Sequence, residues 1–291
     1  MYAPLQLSAE SENLLKDLQN YMRVKHYSPR TIKNYSYELR YLLSHYADRS
    51  AHSLTQMDII HYLRYIQEHF NASWGKCHIA AQALSFFFQH LLQLPAIRAR
   101  SFYPLKKQFI PSILSQAEIG MVLNSCSGLQ QKAIVSVFYG TGIRLSELQH
   151  LKLSDIDRPN LRLRIAQGKG NKERYTLLSE KLLNLLEGYW RLYRPQVYLF
   201  EGRKVGQPMQ VRSIQYHVRC AIGGAGLLSP ARRMCCHTLR HSFATHLLDA
   251  GIDIPTIQQL LGHSHISTTM VYLHLQESKR RSIVNPLDSY L

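Results

Sequence analysis

Acidic residues are scarce in this chain of 291 residues: 19 Asp and Glu stand against 35 Lys and Arg, which leaves a formal net charge of +16. An excess of this sign and size is typical of proteins that bind nucleic acid. Anionic lipid is the alternative partner, but the cations are spread along the chain and do not cluster beside an apolar anchor. Hydrophobic residues make up 45% of the chain, which argues against intrinsic disorder.

The sequence also lacks long apolar runs and the cysteine spacings that are typical of disulfide frameworks or metal sites. No segment has the length and hydrophobicity of a transmembrane helix, so we expect no membrane partner. We expect no signal peptide either, because the segment MYAPLQLSAESENLL lacks a charged region followed by an apolar core. The five cysteines are scattered and form no Cys-x-x-Cys pair. This usage predicts free thiols in a reducing cytoplasm.

The first third of the chain shows apolar residues at helical spacing and no convincing strand alternation. The pattern predicts four helices: residues 9–24, a second that follows Ser28 and Pro29, a third that begins near Thr55, and residues 74–94. Four helices of this length form a compact bundle. Residues 95–111 follow, with three prolines and a group of cations but no clear period, and they predict a basic linker.

The rest of the chain predicts a mainly helical (α+β) domain. Ser115 and Glu118 have the spacing of a capping box before an apolar stretch. Residues 161–166 and 175–178 predict two strands, and the glycine-rich turn between them predicts a β-hairpin. The remaining predicted helices are residues 133–139, 182–192, 211–222, 237–249 and 254–261, followed by a further helix that carries Tyr272.

Five short motifs in this half combine two arginines, two histidines, a lysine and a tyrosine. They are TGIRLSEL with Arg144, GKGNKER with Lys169, HTLRHSFATHLL with His237 and Arg240, LGH with His263, and STTMVY with Tyr272. A phenol can attack phosphorus, cations can hold the developing negative charge, and an acid can protonate the leaving oxygen. The set is therefore suited to phosphodiester transesterification without a metal. A zinc site around Cys235, Cys236, His237, His241 and His246 is the alternative, but it lacks standard ligand spacing.

These motifs, in this order and spacing, resemble those of the tyrosine recombinase (phage integrase) family, and most closely its Xer and integron-integrase groups. The resemblance covers nearly the whole chain. It implies a helical, SAM-like core-binding domain in residues 1–94, a basic linker in residues 95–111, and a catalytic domain in residues 112–291. It further implies a site-specific recombinase that cuts and rejoins double-stranded DNA through a 3′-phosphotyrosyl intermediate, without cofactor or metal, as a tetramer on two DNA sites.

The resemblance also assigns a role to each motif residue. Arg144 and Arg240 hold the scissile phosphate, and His263 donates a hydrogen bond to one of its oxygens. Lys169 is the general acid, and Tyr272 is the nucleophile. The remaining two are His237, which assists proton transfer or holds the phosphate, and Glu147, which orients a catalytic cation.

A second set of cations is predicted to face DNA. For any single member, a solvated surface charge is the more ordinary interpretation, whereas for the set as a whole the net charge favours DNA. The members are Arg23, Lys25, Arg30, Lys33, Arg40, Lys76, Lys106, Lys107, Lys172 and Arg174.

Two other functions remain open at this point. A type IB topoisomerase relaxes DNA by the same chemistry, and a catalytically silent protein could bind DNA without cutting it. Failure to form any covalent DNA adduct would favour the silent protein. Relaxation of DNA independent of its sequence would favour the topoisomerase. The sequence leaves open the DNA target and the choice among transposition, integration, cassette exchange and dimer resolution. We expect the protein to act in the bacterial cytoplasm, at the nucleoid.

Overall fold

The computed structural model describes residues 7–95, 111–166, 173–230, 232 and 234–275. The chain divides into two compact units, Met1–Gln108 and Phe109–Leu291. The described part is mostly helical and contains one small antiparallel sheet, which confirms the predicted mainly α fold class. No helix within the described ranges is both long and apolar enough to span a membrane.

All four helices predicted in the first unit are present. Each begins after a Ser or Thr whose side-chain oxygen accepts a hydrogen bond from a backbone N–H in the first turn, the arrangement that satisfies otherwise unpaired donors at a helix start. The helices and their N-caps are α1 Ala9–Val24 after Ser8, α2 Pro29–His45 after Ser28, α3 Gln56–Phe70 after Thr55, and α4 Trp74–His90 after Ser73.

The apolar faces of these helices form one core, in which Leu18, Leu39, Leu63 and Phe87 are fully buried. The predicted end of the fourth helix at residue 94 is wrong, because α4 ends at His90. Gln93 has a left-handed backbone (φ 54°), and a residue before a proline is disfavoured in a helix.

The second unit contains eight α-helices within its described residues. Ser115 and Glu118 form the predicted capping box at the start of the first of them. The helices are α5 Gln116–Asn124, α6 Leu129–Thr141, α7 Leu145–Gln149, α8 Glu180–Tyr193, α9 Val211–Gly224, α10 Cys236–Asp249, α11 Ile254–Leu261 and α12 Ile266–Met270. Helix α6 lies at the centre, where Ile134, Val137 and Phe138 are fully buried and α8, α9 and α10 pack around it.

The two predicted strands pair antiparallel and a third strand joins them, whereas the glycine-rich turn predicted between the two falls outside the described residues. Strands β1 Ile156–Asp157, β2 Arg162–Ile165 and β3 Arg174–Leu177 form an antiparallel sheet in the order β1-β2-β3. Strand β1 has two residues, too few to show the alternation by which strands are recognised in a sequence. The Thr176 hydroxyl of β3 donates to the Thr141 carbonyl oxygen at 2.8 Å, which attaches the sheet to the end of α6.

The segment around Tyr272 differs from the prediction of a regular helix. Helix α12 ends at Met270, and Tyr272 lies in a 3₁₀ helix, Val271–Leu275. A 3₁₀ turn has a smaller number of residues per turn than an α-helix, so side chains after Met270 point in different directions from those that a continued α-helix would give. The Tyr272 side chain is buried in a small cluster with Phe243 and Leu261.

Candidate active site

A tight turn brings Arg144 from the buried centre of the second unit to its position. Helix α6 ends at Thr141 and is capped by Gly142, whose backbone is left-handed with φ 62°. A Cβ atom at this position would lie 2.5 Å from Cδ1 of Phe243, so both the backbone conformation and the space require glycine. Arg144 then caps α7, and its backbone N–H donates to Oε2 of Glu147 at 2.8 Å. The motif TGIRLSEL thus encodes a helix end, a turn and a new helix start.

Glu147 is the buried anion that holds two arginines together. Its side chain is 2% exposed, and it accepts a hydrogen bond from the Arg144 guanidinium at 2.7 Å. The Arg174 guanidinium donates to both carboxylate oxygens, at 2.8 and 2.7 Å. Burial raises the pKa of Glu147, but the hydrogen bonds and charges of the two arginines outweigh it and lower that pKa to about 2. Glu147 is therefore ionised and holds the Arg144 guanidinium in place.

Arg174 was predicted to face DNA, and the structure places it inside the protein. Its side chain is 9% exposed. Besides the pair with Glu147, its Nε donates to the Leu260 carbonyl oxygen at 2.9 Å. The guanidinium is thus committed to internal partners, and we assign Arg174 a positioning role in place of a DNA contact.

Arg240 projects from α10 and is 3% exposed. Its guanidinium donates to the carbonyl oxygens of Gly142 and Leu261 and to Nε2 of His263, the last at 3.0 Å. Burial and the nearby charge of Arg144 lower the pKa of Arg240 to about 9, so the guanidinium stays protonated at neutral pH. Two backbone carbonyls hold this cation in place before any ligand arrives.

The end of α11 supplies carbonyl oxygens to all three arginines. Leu260 accepts from Arg174, Leu261 from Arg240, and Gly262 from Arg144 at 2.8 Å. The last carbonyls of a helix have no partner within the helix and carry partial negative charge. A helix end therefore offsets part of the repulsion among three guanidinium groups gathered in one place.

His263 follows directly and is held as a neutral ring. An arginine has donors only, so the contact with Arg240 requires His263 Nε2 to accept, and the ring proton is therefore on Nδ1. Nδ1 lies 2.9 Å from the hydroxyl oxygen of Thr269, which is fully buried. Burial and the charges of Arg240 and Arg144 lower the pKa of His263 to about 3.

The Tyr272 hydroxyl completes this group. The side chain is 2% exposed, and its ring stacks on that of His263 with centroids 6.4 Å apart. Its hydroxyl lies 3.0 Å from Nδ1 of His241. Burial raises the pKa of Tyr272, whereas the charges of Arg240 and Arg144 act in the opposite direction. A phenol, two guanidiniums and a neutral imidazole therefore meet in one site, a set that can attack phosphorus and hold the resulting charge.

His237 lies at the edge of this group. It occupies the first turn of α10, is exposed, and has its ring centroid 6.4 Å from that of His241. His241 was considered in the sequence only as a metal ligand. The signal that could have found it is spacing, because residues four apart on a helix share a face. Among the described residues, no group of three His, Cys, Asp or Glu side chains could hold a metal ion.

Several predicted residues lie elsewhere or outside the described ranges. Lys106, Lys107, Lys169 and Lys172 fall outside them. In the first unit, Arg40 pairs with Glu12 at 3.0 Å and Lys76 with the buried Glu38 at 2.6 Å. The exposed members of the predicted DNA-facing set in this unit are Arg23, Lys25, Arg30 and Lys33, of which Arg23 and Lys33 line one groove.

Comparison with known proteins places this geometry in a family. A Sinorhizobium fredii protein, provisionally named an integrase/recombinase, is 36% identical over 92% of this chain and 86% of its own length. A tyrosine recombinase of Thermosipho africanus is 30% identical over 91% of this chain and 95% of its own.

Solved structures share the fold. XerH recombinase bound to its difH substrate covers 97% of this chain and 98% of its own, with a TM-score of 0.76 and 20% identity. A lambda integrase tetramer bound to a Holliday junction covers 89% of this chain and 76% of its own, with a TM-score of 0.72 and 17% identity. The model of the phage integrase N-terminal SAM-like domain matches residues 14–97, and that of the phage integrase family matches residues 105–279. The chain belongs to the phage integrase family of tyrosine recombinases.

Proposed function

We propose that this protein is a site-specific DNA recombinase in which Tyr272 attacks a backbone phosphate and forms a 3′-phosphotyrosyl bond. The observation that carries the proposal is the convergence of the Tyr272 hydroxyl, His263 and the guanidiniums of Arg144 and Arg240 around the end of α11. The family relationship supports the same chemistry.

In this proposal, the cations act on the phosphate before and during attack. Guanidinium groups fork onto phosphate oxygens and remain charged, and both arginines are already fixed by protein acceptors. Such pre-organised charge stabilises a pentacoordinate phosphorane without reorganisation at the moment of reaction. Lys169 then protonates the leaving 5′-oxygen, and attack by the 5′-hydroxyl of a partner strand reverses the step. The bond energy is conserved in the adduct, so the reaction needs no nucleotide hydrolysis, and in this proposal the arginines supply the positive charge that a metal would otherwise provide.

We further propose that residues 1–94 form the core-binding domain and residues 112–291 the catalytic domain, joined by the linker 95–111. In the first, the exposed cations Arg23, Lys25, Arg30 and Lys33 contact phosphates, whereas Arg40 and Lys76 stabilise their own domain through Glu12 and Glu38. Replacement of Lys33 by Ala should weaken binding uniformly across sequences and reduce the slope of log K against log salt by about one. The same change at Lys76 should lower stability instead.

The active assembly is proposed to be a tetramer on two DNA sites at the bacterial nucleoid. A solved lambda integrase tetramer bound to a Holliday junction supports the tetramer. Residues 276–291 lie outside the described ranges, and we propose that they dock on a neighbouring subunit. Deletion of residues 278–291 should then leave single-site binding intact and abolish synapsis of paired sites. Wild-type synapsis after the deletion would refute docking.

The decisive experiment traps the adduct. Nicked duplexes tiled across the DNA that flanks the gene are incubated with the protein and separated on a denaturing gel. We expect a covalent adduct with one set of duplexes, its loss in Tyr272→Phe, and unchanged binding of the variant to the same DNA. An adduct formed by Tyr272→Phe would show that another residue is the nucleophile.

The same experiment separates the alternatives. Adducts on every duplex, with relaxation of supercoiled plasmids, would favour a topoisomerase-like enzyme. Tight binding with no adduct on any duplex would favour a catalytically silent DNA-binding protein. EDTA should leave adduct formation unchanged, and loss that zinc or magnesium restores would overturn the metal-free mechanism.

A further inference from the structure

His241 is in direct contact with the proposed nucleophile, although none of the family motifs assigned above gives it a role. It lies in the second turn of α10, and its Nδ1 is 3.0 Å from the hydroxyl oxygen of Tyr272. The two rings are tilted by 52° with centroids 5.7 Å apart. Among the described residues, His241 is the hydrogen-bonding partner found for this hydroxyl.

The protonation states of His241 and Tyr272 suit transfer of a proton from the phenol to the imidazole. Burial, followed by the charges of His237 and Arg240, lowers the pKa of His241 to about 4, so the ring is neutral at physiological pH. The groups that face it are His237 and Arg240 on α10, Tyr272 in the 3₁₀ helix, and His263 after α11. Burial raises the pKa of the Tyr272 phenol, so the nucleophile is protonated before attack and must lose its proton.

His237 is less well placed for that task. It is exposed at the start of α10, and its ring is separated from that of His241 by 6.4 Å between centroids. His263 is also unsuited, because its Nε2 accepts from Arg240 and its Nδ1 faces Thr269. The ring nitrogen within hydrogen-bond reach of the phenol is the one that geometry favours as a base.

We propose that His241 is the general base that accepts the phenol proton of Tyr272 when Tyr272 attacks the phosphate. The proposal rests on the function proposed above. As the bond between the phenol oxygen and phosphorus forms, the proton moves from that oxygen to Nδ1 of His241. The bond from phosphorus to the 5′-oxygen breaks, and that oxygen takes a proton from the general acid. In the reverse step, the 5′-hydroxyl attacks and gives its proton back to the conjugate base of the general acid, and the imidazolium of His241 returns its proton to the departing phenol.

The low pKa of His241 in the DNA-free site is compatible with its role as a base. Burial is the main cause of the low pKa of His241, and Arg240, which also disfavours a charged ring, is one of the two arginines proposed to bind the scissile phosphate. A bound phosphate brings negative charge, and that charge increases as the phosphorane forms. The positive imidazolium is thus stabilised in the transition state, when it is formed, and not in the resting enzyme.

Two substitutions at position 241 separate proton transfer from positioning. In His241→Asn, the amide lies near the place of Nδ1 and can hydrogen-bond the phenol, but it cannot take its proton. His241→Ala removes both abilities. Adduct formation on the nicked duplex is measured in single turnover, and both variants should be slower by roughly 10²- to 10⁴-fold, the usual contribution of a general base.

The chain offers a matched control on the same helix. His246 of α10 contacts the hydroxyl of Tyr139 through Nδ1 at 2.9 Å, so it forms the same kind of pair away from the proposed nucleophile. His246→Asn should retain the wild-type rate of adduct formation. Equal losses in the two Asn variants would show that such pairs only stabilise α10, and would overturn the proposal.

A second measurement tests the chemistry directly. Difluorotyrosine at position 272 ionises more readily than tyrosine and depends less on a base. It should speed adduct formation in His241→Asn far more than in the wild-type background, and a rescue also shows that the variant is folded. A wild-type rate in His241→Asn, or no rescue in a variant that binds DNA normally, would refute His241 as the base. Absence of any adduct with the wild-type protein would instead refute the proposed function.

Discussion

Arg240 donates a hydrogen bond to Nε2 of His263 at 3.0 Å. The contact fixes the ring proton on Nδ1, which faces Thr269. In the role expected from the family resemblance, His263 donates to a phosphate oxygen, and Nε2 must then carry the proton. The Thr269 hydroxyl can accept from Nδ1 in the first state and donate to it in the second. Thr269 therefore allows both tautomers of the same histidine.

This relationship predicts a specific effect of Thr269. Thr269→Val keeps the shape of the side chain but leaves Nδ1 without its partner, and we expect adduct formation to fall by about tenfold, equivalent to about 1.4 kcal/mol, within the range for a lost buried hydrogen bond. Thr269→Ser keeps the hydroxyl and should restore most of the rate. Equal rates for the Val and Ser variants in the single-turnover assay would contradict the role of the hydroxyl.

Glu147 should be necessary for stability as well as activity. Glu147→Gln leaves the buried Arg174 without its anion, and such a loss costs roughly 3–5 kcal/mol of unfolding free energy. Glu118→Gln is the control, because the pair of Glu118 with Arg232 is more exposed, glutamine also serves in a capping box, and the cost should be about 0–1 kcal/mol. Denaturant unfolding of both variants measures the difference, and similar losses would show that burial of the Glu147 pair is unimportant.

Much of the site was predictable, and Arg174 shows why part was not. Arg144, Arg240, His263 and Tyr272 were singled out by motif, and the structure brings them together. Arg174 was expected to face DNA as one member of the basic set that the net charge of the chain favours. Its inward direction depends on strand register.

The register places Arg174 opposite Ile165 on β2, and Ile165 is 3% exposed. Directly paired residues of antiparallel strands lie on the same face of the sheet. Arg174 must therefore point inward with Ile165. Long-range pairs such as Arg40 with Glu12 were likewise invisible, because their partners are 28 residues apart in the chain. The contacts of three arginines with the end of α11 could not be predicted for the same reason, because the partners are far apart in the chain.

Gly262 is required by both its backbone and its neighbour. It has φ 63°, and a Cβ atom would lie 2.8 Å from Cδ of Arg174. Gly262→Ala should therefore lower stability by more than the ~1–2 kcal/mol of a left-handed L-residue and should slow cleavage. Gly226→Ala is the matched control, with φ 72° and no atom within 4 Å of the added carbon. If thermal unfolding and cleavage respond alike in both variants, the contact with Arg174 has no effect.

The proposed role of Lys169 as the general acid can be tested by changing the leaving group of the substrate. Lys169→Ala should slow cleavage by roughly 10²- to 10⁴-fold if this lysine is the general acid. A substrate with sulfur in place of the bridging 5′-oxygen should restore the rate, because a thiolate leaves without a proton. Lys172→Ala serves as the control: the loss of a predicted DNA contact should weaken binding, but the sulfur substrate should give this variant no specific rescue. Failure of the sulfur substrate to rescue Lys169→Ala would assign the acid elsewhere.

Cys235 should be the reactive thiol at the start of α10. A hydrogen bond from His237 lowers the pKa of Cys235 to about 7 against the opposing effect of burial, whereas burial raises the pKa of the adjacent Cys236 to about 12. The thiolate of Cys235 increases as pH rises through about 7, so alkylation by iodoacetamide should follow that titration, and Cys236 should stay unmodified. Mass spectrometry of the labelled peptide measures both rates, and His237→Ala should shift the Cys235 titration to higher pH.

Because the added group lies beside His237, alkylation of Cys235 should slow adduct formation in the wild type and leave adduct formation by Cys235→Ser unaffected. A titration that is indifferent to His237 would contradict the hydrogen bond, and equal inhibition of Cys235→Ser would place the sensitive thiol elsewhere.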